Sequence, residues 1–263
     1  LKKTLTSLSA PPSVRFAVSS LGAFLLLNTG RAALGDLFSQ PFRHEIKVNA
    51  VTGAGSRDEM ISSVIAHHAR GFRTVKMKTT PDPALLAFVL KEMKKKFPDM
   101  AFRIDANQSW PAADALAIIA LFKGLNVEYI EEPVHAESVT DYHGLIQESP
   151  IPIALDESLT SVESLEAALD TFPEAVLIIK PTLLGSIFSI SETISAKKGP
   201  KHRVIVTTAL ESAVGRSVIQ YIAAITGDLE AAHGLDTGKL FMKDLLSIPE
   251  AKNGVLLLQA PFV

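Results

Sequence analysis

The sequence predicts an α/β barrel, and three observations carry that expectation. Short β-rich runs alternate with amphipathic stretches along the chain, which calls for a parallel sheet with helical crossovers. Polar residues at the ends of successive runs recur at intervals of 27, 26, 25 and 24 residues, from Lys78 through Asp105, Glu131 and Asp156 to Lys180. The chain has 263 residues, which suits either two ordinary domains or one barrel of about 250 residues. A regular period of one strand, one helix and their loops decides for the barrel.

The elements follow in order. Lys2 and Lys3 precede the apolar stretch 21–27, and small residues follow at Ala32 and Ala33, so the N-terminus loosely resembles a signal peptide. Arg15, Ser19 and Ser20 interrupt the approach, and the stretch is far short of the roughly 20 residues of a membrane span. A buried helix between Ser13 and Phe38 is expected instead. The strand runs are 47–51, 74–78, 101–105, 127–131, 153–156, 175–180 and 204–208, with a weak eighth at 233–236. Helices are expected over 56–70, 83–96, 112–123, 161–171 and 187–197; in the first, Ile61, Val64 and Ile65 share one face. The expected division is a helical segment over 1–44 and the barrel over 45–263.

Composition narrows the chemistry. With 26 Lys+Arg against 28 Asp+Glu, the chain lacks the basic face that nucleic acid requires. It has no Cys, which removes disulfides, thiol nucleophiles and thiolate zinc sites together. No Gly-rich phosphate loop is present, because Gly53-Ala54-Gly55 lacks a third glycine and a following Lys-Ser/Thr. Carboxylates, lysines, histidines, hydroxyls or a hard metal remain.

In a barrel the active site lies at the C-terminal ends of the strands, where the periodic residues sit. Asp105, Glu131 and Asp156, converging from neighbouring strands, suit a hard divalent cation, Mg²⁺ first. Strand alternation assigns Glu131 to the metal and turns Glu132 to the other face, behind the ligands. Any one acid taken alone reads equally well as a strand-end cap or ion pair. Lys76 and Lys78 point the same way from one strand, and Lys180 lies across the barrel. Lys76 is expected to lower the pKa of Lys78 toward that of a usable base, although pairing with the carboxylates is the plainer reading of each lysine.

The Lys-x-Lys of 76–78 together with Asp105, Glu131, Asp156 and Lys180 resembles the enolase superfamily, in its muconate-lactonizing subgroup. Segments 12–17 (PSVRFA), 103–110 (RIDANQSW), 179–186 (IKPTLLGS) and 234–237 (GLDT) look like the o-succinylbenzoate synthase family within it. The resemblance covers the chain from about residue 11 to about 240. It implies a (β/α)7β barrel, a small-molecule carboxylate substrate and a bound Mg²⁺, with Mn²⁺ as a substitute. The implied reaction is a dehydration in menaquinone or phylloquinone synthesis. Lys78 would move the proton, Lys180 would face the opposite side of the ring with its charge, and Lys76 would add nearby positive charge. Arg103, Asn107 and Thr208 are the candidate substrate contacts.

The resemblance also implies a capping domain of which little is present, since only about 44 residues precede the barrel. Leu1 in place of Met adds the expectation of a fragment. An N-acylamino-acid racemase or a cycloisomerase would use the same lysines, and a catalytically dead barrel acting as an interaction module is the non-enzyme alternative. A single Asp236 where dipeptide epimerases carry two weighs against that activity. Bacterial cytoplasm is the expected compartment, with a plastid homologue as the alternative; no membrane partner is expected, and a homo-oligomer is compatible with everything read here. His67, His68 and His135 are expected to be non-ligating, His233 structural in preference to a substrate contact, and Trp110 a packing residue.

Overall fold

Strand-forming runs rich in Val, Ile and Leu build the wall of the molecule. The computed structural model describes residues 9–38, 41–137 and 139–258, so Lys2 and Lys3 lie outside the described residues. Seven parallel strands pair in sequence order: β2 (Ala50–Thr52), β3 (Thr74–Lys78), β4 (Ala101–Asp105), β5 (Val127–Glu131), β6 (Ile153–Leu155), β7 (Val176–Ile179) and β8 (Arg203–Val206). Residues 233–234 close the ring. His233 bridges Val48 and Gly234 bridges Thr207, both in parallel. Asn49 N–H donates to His233 O at 3.0 Å, and Gly234 N–H donates to Val206 O at 3.0 Å. The expected barrel is present, with its eighth strand reduced to two residues. A Cβ on Gly234 would meet Thr207 Oγ1 at 2.3 Å, so only glycine lets this segment approach β8 so closely.

The first expected run divides in the structure. β1 (Glu45–Lys47) pairs antiparallel with β9 (Val255–Leu257), and only β2 enters the barrel. No local signal announces this, because the partner is at the other end of the chain.

Helices α3 (Arg57–Ala69), α4 (Pro83–Lys96), α5 (Ala115–Ala120), α6 (His143–Glu148), α7 (Val162–Thr171), α9 (Ile187–Lys197) and α10 (Ala213–Thr226) follow successive strands. Their boundaries have local causes. Ser56 and Glu59 form a reciprocal capping box at α3. Asp82 accepts the Ala84 N–H at 2.9 Å ahead of Pro83, the first residue of α4. Lys94, Lys95 and Lys96 sit at the negative end of the α4 dipole. No helix among the described residues is long and apolar enough to cross a membrane. Helix α10 has no counterpart in the expected elements; its second half, from Ile219 to Thr226, is buried on every side.

Period-two alternation separates two sets of side chains. Val75, Met77, Phe102, Ile104, Ile130, Leu155, Leu177 and Val206 point outward and are buried under the helices. Tyr129, Ala154, Val176, Ile178 and Ile205 form a small second core inside the barrel. The inward set also contains the charged residues, and register aligns them: Lys78 with Asp105, and Asp105 with Glu131.

The N-terminal helix α1 (Pro12–Asn28) departs from the expected burial. Leu21 and Leu25 are more than half exposed, whereas Ser19, Ser20 and Ala23 are buried. Small side chains allow the helix to approach α9 closely, and Ser19 Oγ accepts the Ile187 N–H at 3.2 Å. Both serine hydroxyls donate to carbonyls within α1, Ser19 to Arg15 O and Ser20 to Phe16 O, which satisfies them at no cost to the interface. The short α2 (Leu34–Leu37) and α8 (Pro181–Leu184) complete the described helices used below.

His233 has a pH consequence. Its Nδ1 accepts the Val206 N–H at 3.0 Å, and its Nε2 faces Asp228 O at 3.1 Å, so the ring is the neutral Nε2–H tautomer. Full burial lowers its pKa to about 3; the Asp228 carbonyl opposes this, and Arg103, Arg43 and Lys198 reinforce it. The unfolded chain then binds more protons between about 3 and the ordinary value of 6.5. Stability therefore falls as pH drops through that window, by up to about 1.4 kcal/mol per pH unit from this group. Denaturant melts from pH 7 to pH 4 should show this slope in the wild type, and His233→Asn should lose that share of it.

Candidate active site

A cleft of about 700 Å³ opens at the C-terminal ends of the strands, and the structure brings most of the sequence-predicted residues into it. Lys76, Lys78, Asp105, Asn107, Glu131, Asp156, Lys180 and Thr208 all line it. Strand order fixes their mutual placement. In a ring of eight, the second member β3, carrying Lys78, stands opposite the sixth, β7, which ends at Lys180. The three acids come from β4, β5 and the end of β6, between them.

Asp105 Oδ2 accepts from both Lys76 Nζ at 2.7 Å and Lys78 Nζ at 2.6 Å. Lys76 also donates to Glu131 Oε1 at 2.6 Å, and Lys180 donates to Asp156 Oδ2 at 2.5 Å. The side chain of Lys76 is 16% exposed and that of Lys78 is 38%, so Lys78 is the one a ligand in the cleft can reach.

The electrostatics follow from this mutual neutralisation. Burial alone would pull Lys76 down, but Glu131 and Asp105 outweigh it and hold the ammonium above the ordinary lysine range. Lys180 is likewise desolvated yet raised by Asp156. Asp105 is pushed up by burial and brought below the usual carboxylate range by Lys76 and Lys78. Glu131, fully buried, is raised by desolvation against the pull of Lys76, with Asp105 and Asp156 adding like-charge repulsion. The Asp105 carboxylate accepts from both ammonium groups and lies between them, so Lys76 does not face Lys78 as a bare charge.

Each acid keeps a buried oxygen with no hydrogen-bond partner: Asp105 Oδ1, Glu131 Oε2 and Asp156 Oδ1. Such atoms are costly to bury unless something fills their lone pairs. Three hard oxygens from adjacent strands match the donors that Mg²⁺ takes. Among the described residues no three His, Asp or Glu side chains are already drawn together as a metal cluster, and each acid is instead turned onto a lysine. The fit to a cation rests on the donor set and the three free oxygens.

Glu132, at φ 41°, faces away from the cleft. Its carboxylate accepts the N–H groups of Asp156 at 2.7 Å and Ser158 at 3.0 Å, tying the end of β5 to the loop that carries Asp156. Asn107 accepts from Lys78 Nζ at 2.6 Å and donates to Glu157 Oε1 at 2.8 Å, so it holds the lysine from the cleft rim. Thr208 shares a hydrogen bond with Thr237 at 2.8 Å.

Arg103 is the clear correction. It shares a strand face with Asp105 but lies deeper in the barrel, is almost fully buried and does not line the cleft. Its guanidinium donates to Glu128 Oε2 at 2.6 Å, Asn49 Oδ1 at 3.0 Å and Ala232 O at 2.6 Å, and stacks over Tyr129 at 4.8 Å. These partners hold the guanidinium below the cleft, away from a substrate bound there. The register slip at Phe102/Arg103 on β4 leaves Glu128 as the extra residue on β5, beside Arg103.

Other residues are placed as follows. His68 stacks on Phe97, Trp110 stacks on Phe122 and donates to Thr79 Oγ1, and His135 meets Gln108 outside the cleft. His67 differs: it lines the cleft, with Nε2 at 3.1 Å from Val51 O. Arg70, Lys239 and Asp236 also line it. Sequence reasoning passed over Arg70 and Lys239, because one ends a surface helix and the other lies in a loop; Asp236, at the end of the eighth run, was the available signal.

Comparison with known proteins adds independent findings. Residues 59–258 match the family model described as enolase C-terminal domain-like. The chain is 28% identical over 255 residues to an o-succinylbenzoate synthase of Desulfotalea psychrophila, covering 93% of this chain and 67% of that protein. It is 27% identical over 202 residues to an N-succinylamino acid racemase of Thermus thermophilus, covering 76% of this chain and 54% of the racemase. The solved structure of MenC from Desulfotalea psychrophila superposes with a TM-score of 0.73 at 27% identity, covering 81% of this chain and 60% of that one. The chain thus spans between about half and two thirds of the length of these relatives.

Proposed function

From the premise that this chain belongs to the enolase C-terminal domain-like family, we propose that it is the barrel of a Mg²⁺-dependent dehydratase. The reaction is loss of water from 2-succinyl-6-hydroxy-2,4-cyclohexadiene-1-carboxylate to give o-succinylbenzoate. One observation carries this reading: two lysines from opposite strands flank three acids that each retain a free buried oxygen. The synthase named among the relatives supports the choice of substrate.

Asp105, Glu131 and Asp156 would hold the cation, which when bound supplies Lewis-acid stabilisation of the charge that builds up on a substrate carboxylate. The protein's own groups do the proton work. Lys78 takes the proton α to the carboxylate and returns one to the departing hydroxyl, so that a C–H and a C–O bond break, a C=C bond forms and water leaves. Lys180 sets its charge against the other face of the ring. Lys76 keeps positive charge beneath the site, Asn107 holds Lys78, and Glu132 fixes the loop of Asp156.

A second reading, an N-succinylamino acid racemase, is favoured by the same opposition of Lys78 and Lys180, because each can move a proton on one face of an α-carbon. The deciding experiment gives the purified chain Mg²⁺ and either the cyclohexadiene or an N-succinylamino acid. Dehydration is expected; racemisation alone would replace the first reading by the second, and turnover of neither would overturn both. Calorimetric titration of Asp156→Asn with Mg²⁺ should show affinity reduced by more than about tenfold, as expected when even groups behind the ligands are worth 10–100-fold. Unchanged affinity would remove Asp156 from the ligand set.

A further inference from the structure

Asn107 stands between two groups of fixed hydrogen-bond character. Its Oδ1 accepts from Lys78 Nζ at 2.6 Å, and its Nδ2 donates to Glu157 Oε1 at 2.8 Å. An ionised carboxylate only accepts, so it takes the NH2 end of the amide and leaves the carbonyl end for the lysine. The turn that carries the amide is itself held. Asn107 and Gln108 have φ of 45° and 59°, a region that asparagine enters more readily than most side chains. On either side, Ala106 N–H donates to Glu131 O at 3.0 Å and Gln108 N–H to Glu132 O at 2.7 Å.

Glu157 carries a cost at this place. Its Oε2 is buried and has no hydrogen-bond partner among the described residues, and an unpaired buried carboxylate oxygen is unfavourable. Lys180, desolvated but held up first by Asp156, also feels the charge of Glu157, as does Glu132, which is raised first by burial. Neither shares a hydrogen bond with Glu157 among the described residues. An isosteric amide in its place would avoid the charged orphan, but it could accept from Asn107 as readily as donate to it, and the orientation would be released.

That orientation matters at Lys78. Its Nζ has three positions besides Cε; Asp105 Oδ2 and Asn107 Oδ1, each at 2.6 Å, take two of them, which leaves the third for the cleft that Lys78 lines. In an amine acting as a base, two N–H bonds then point at these acceptors and the lone pair points at the cleft. With the Asn107 amide reversed, its NH2 would donate into the lone pair and turn an N–H toward the cleft instead. We propose that Glu157 is a positioning residue for Lys78: by fixing the Asn107 amide, it keeps the lone pair of the base open to the substrate. This rests on the reading above that Lys78 is the base.

Acetic anhydride labelling of the purified chain tests the relay without any need for turnover. Acetylation of Lys78 is read by mass spectrometry against Lys95, whose side chain is 65% exposed. Glu157→Gln is expected to slow labelling of Lys78 by about two- to tenfold, the worth of one hydrogen bond. In an Asn107→Gly background, which keeps the left-handed turn but has no amide, the same substitution should produce no slowing. A role of Glu157 through charge or through folding acts alike in both backgrounds, so equal effects overturn the relay. Unchanged or faster labelling in Glu157→Gln alone overturns it as well. In turnover of the cyclohexadiene, kcat should fall in parallel with labelling while KM is kept. The labelling pattern with no turnover in the wild type supports the relay and overturns the dehydratase reading. The same pattern with kcat indifferent to Glu157→Gln supports the relay and removes Lys78 as the base.

Discussion

Lys78→Ala is expected to lower kcat by about 10²–10⁴-fold, the usual contribution of a positioned acid–base group. Mg²⁺ affinity should be retained in the same variant. The two readouts separate because Lys78 reaches the cleft, whereas Lys76 beneath it remains to neutralise both Asp105 and Glu131. A structural role for Lys78 would appear as a loss of melting temperature with turnover kept. That outcome would leave Lys78 serving only Asp105 and Asn107 and would remove it as the base. Lys180→Ala provides the contrast: for dehydration it should act through charge at the far face, and for racemisation it should abolish proton exchange on one face only, seen as loss of α-deuterium exchange with one enantiomer.

Arg103→Leu is the second large effect, and it concerns stability. Removing one partner of a buried ionic network costs roughly 3–5 kcal/mol, because the groups left behind are desolvated and unpaired. Here those groups are Asn49 Oδ1 and Ala232 O, with Glu128 losing its short contact and Tyr129 its stacked cation. For a chain of this size each kcal/mol moves Tm by roughly 2–4 °C, so thermal melts should show a drop on the order of 10 °C. Preserved Tm with raised KM would restore Arg103 as a substrate contact and contradict its placement below the cleft.

The fate of these two residues shows what a sequence makes visible. Lys78 and Arg103 both obey the alternation that sends side chains into the barrel. Periodicity says which way a residue points but not how deep it lies or what meets it there. The partners of Arg103 are 25, 54 and 129 residues away, and none is announced by local pattern. The apolar stretch of α1 makes the same point. Its hydrophobicity suggested burial, yet Ser19 and Ala23 took the interface, since close approach of two helices favours small side chains over large ones.

What the sequence by itself determined is the barrel and the ring at its mouth. Each unit of strand, helix and loop is local, so a spacing near 25 residues and a period of two place Lys78, Asp105, Glu131, Asp156 and Lys180 at successive strand ends without any knowledge of contacts. Glu132 faces away from the cleft as that parity predicts, although its φ of 41° takes it out of the extended strand. Only the tertiary structure decided how the ring closes and what stands at the seam. Residues 233–234 form the eighth member through a glycine-tight approach to β8, and β9 captures β1 from the opposite end of the chain. The physical reason is common to all of these: strand ends are set by local geometry, whereas the closure of a barrel is a contact between its first and last elements, and chain separation hides it from any local pattern.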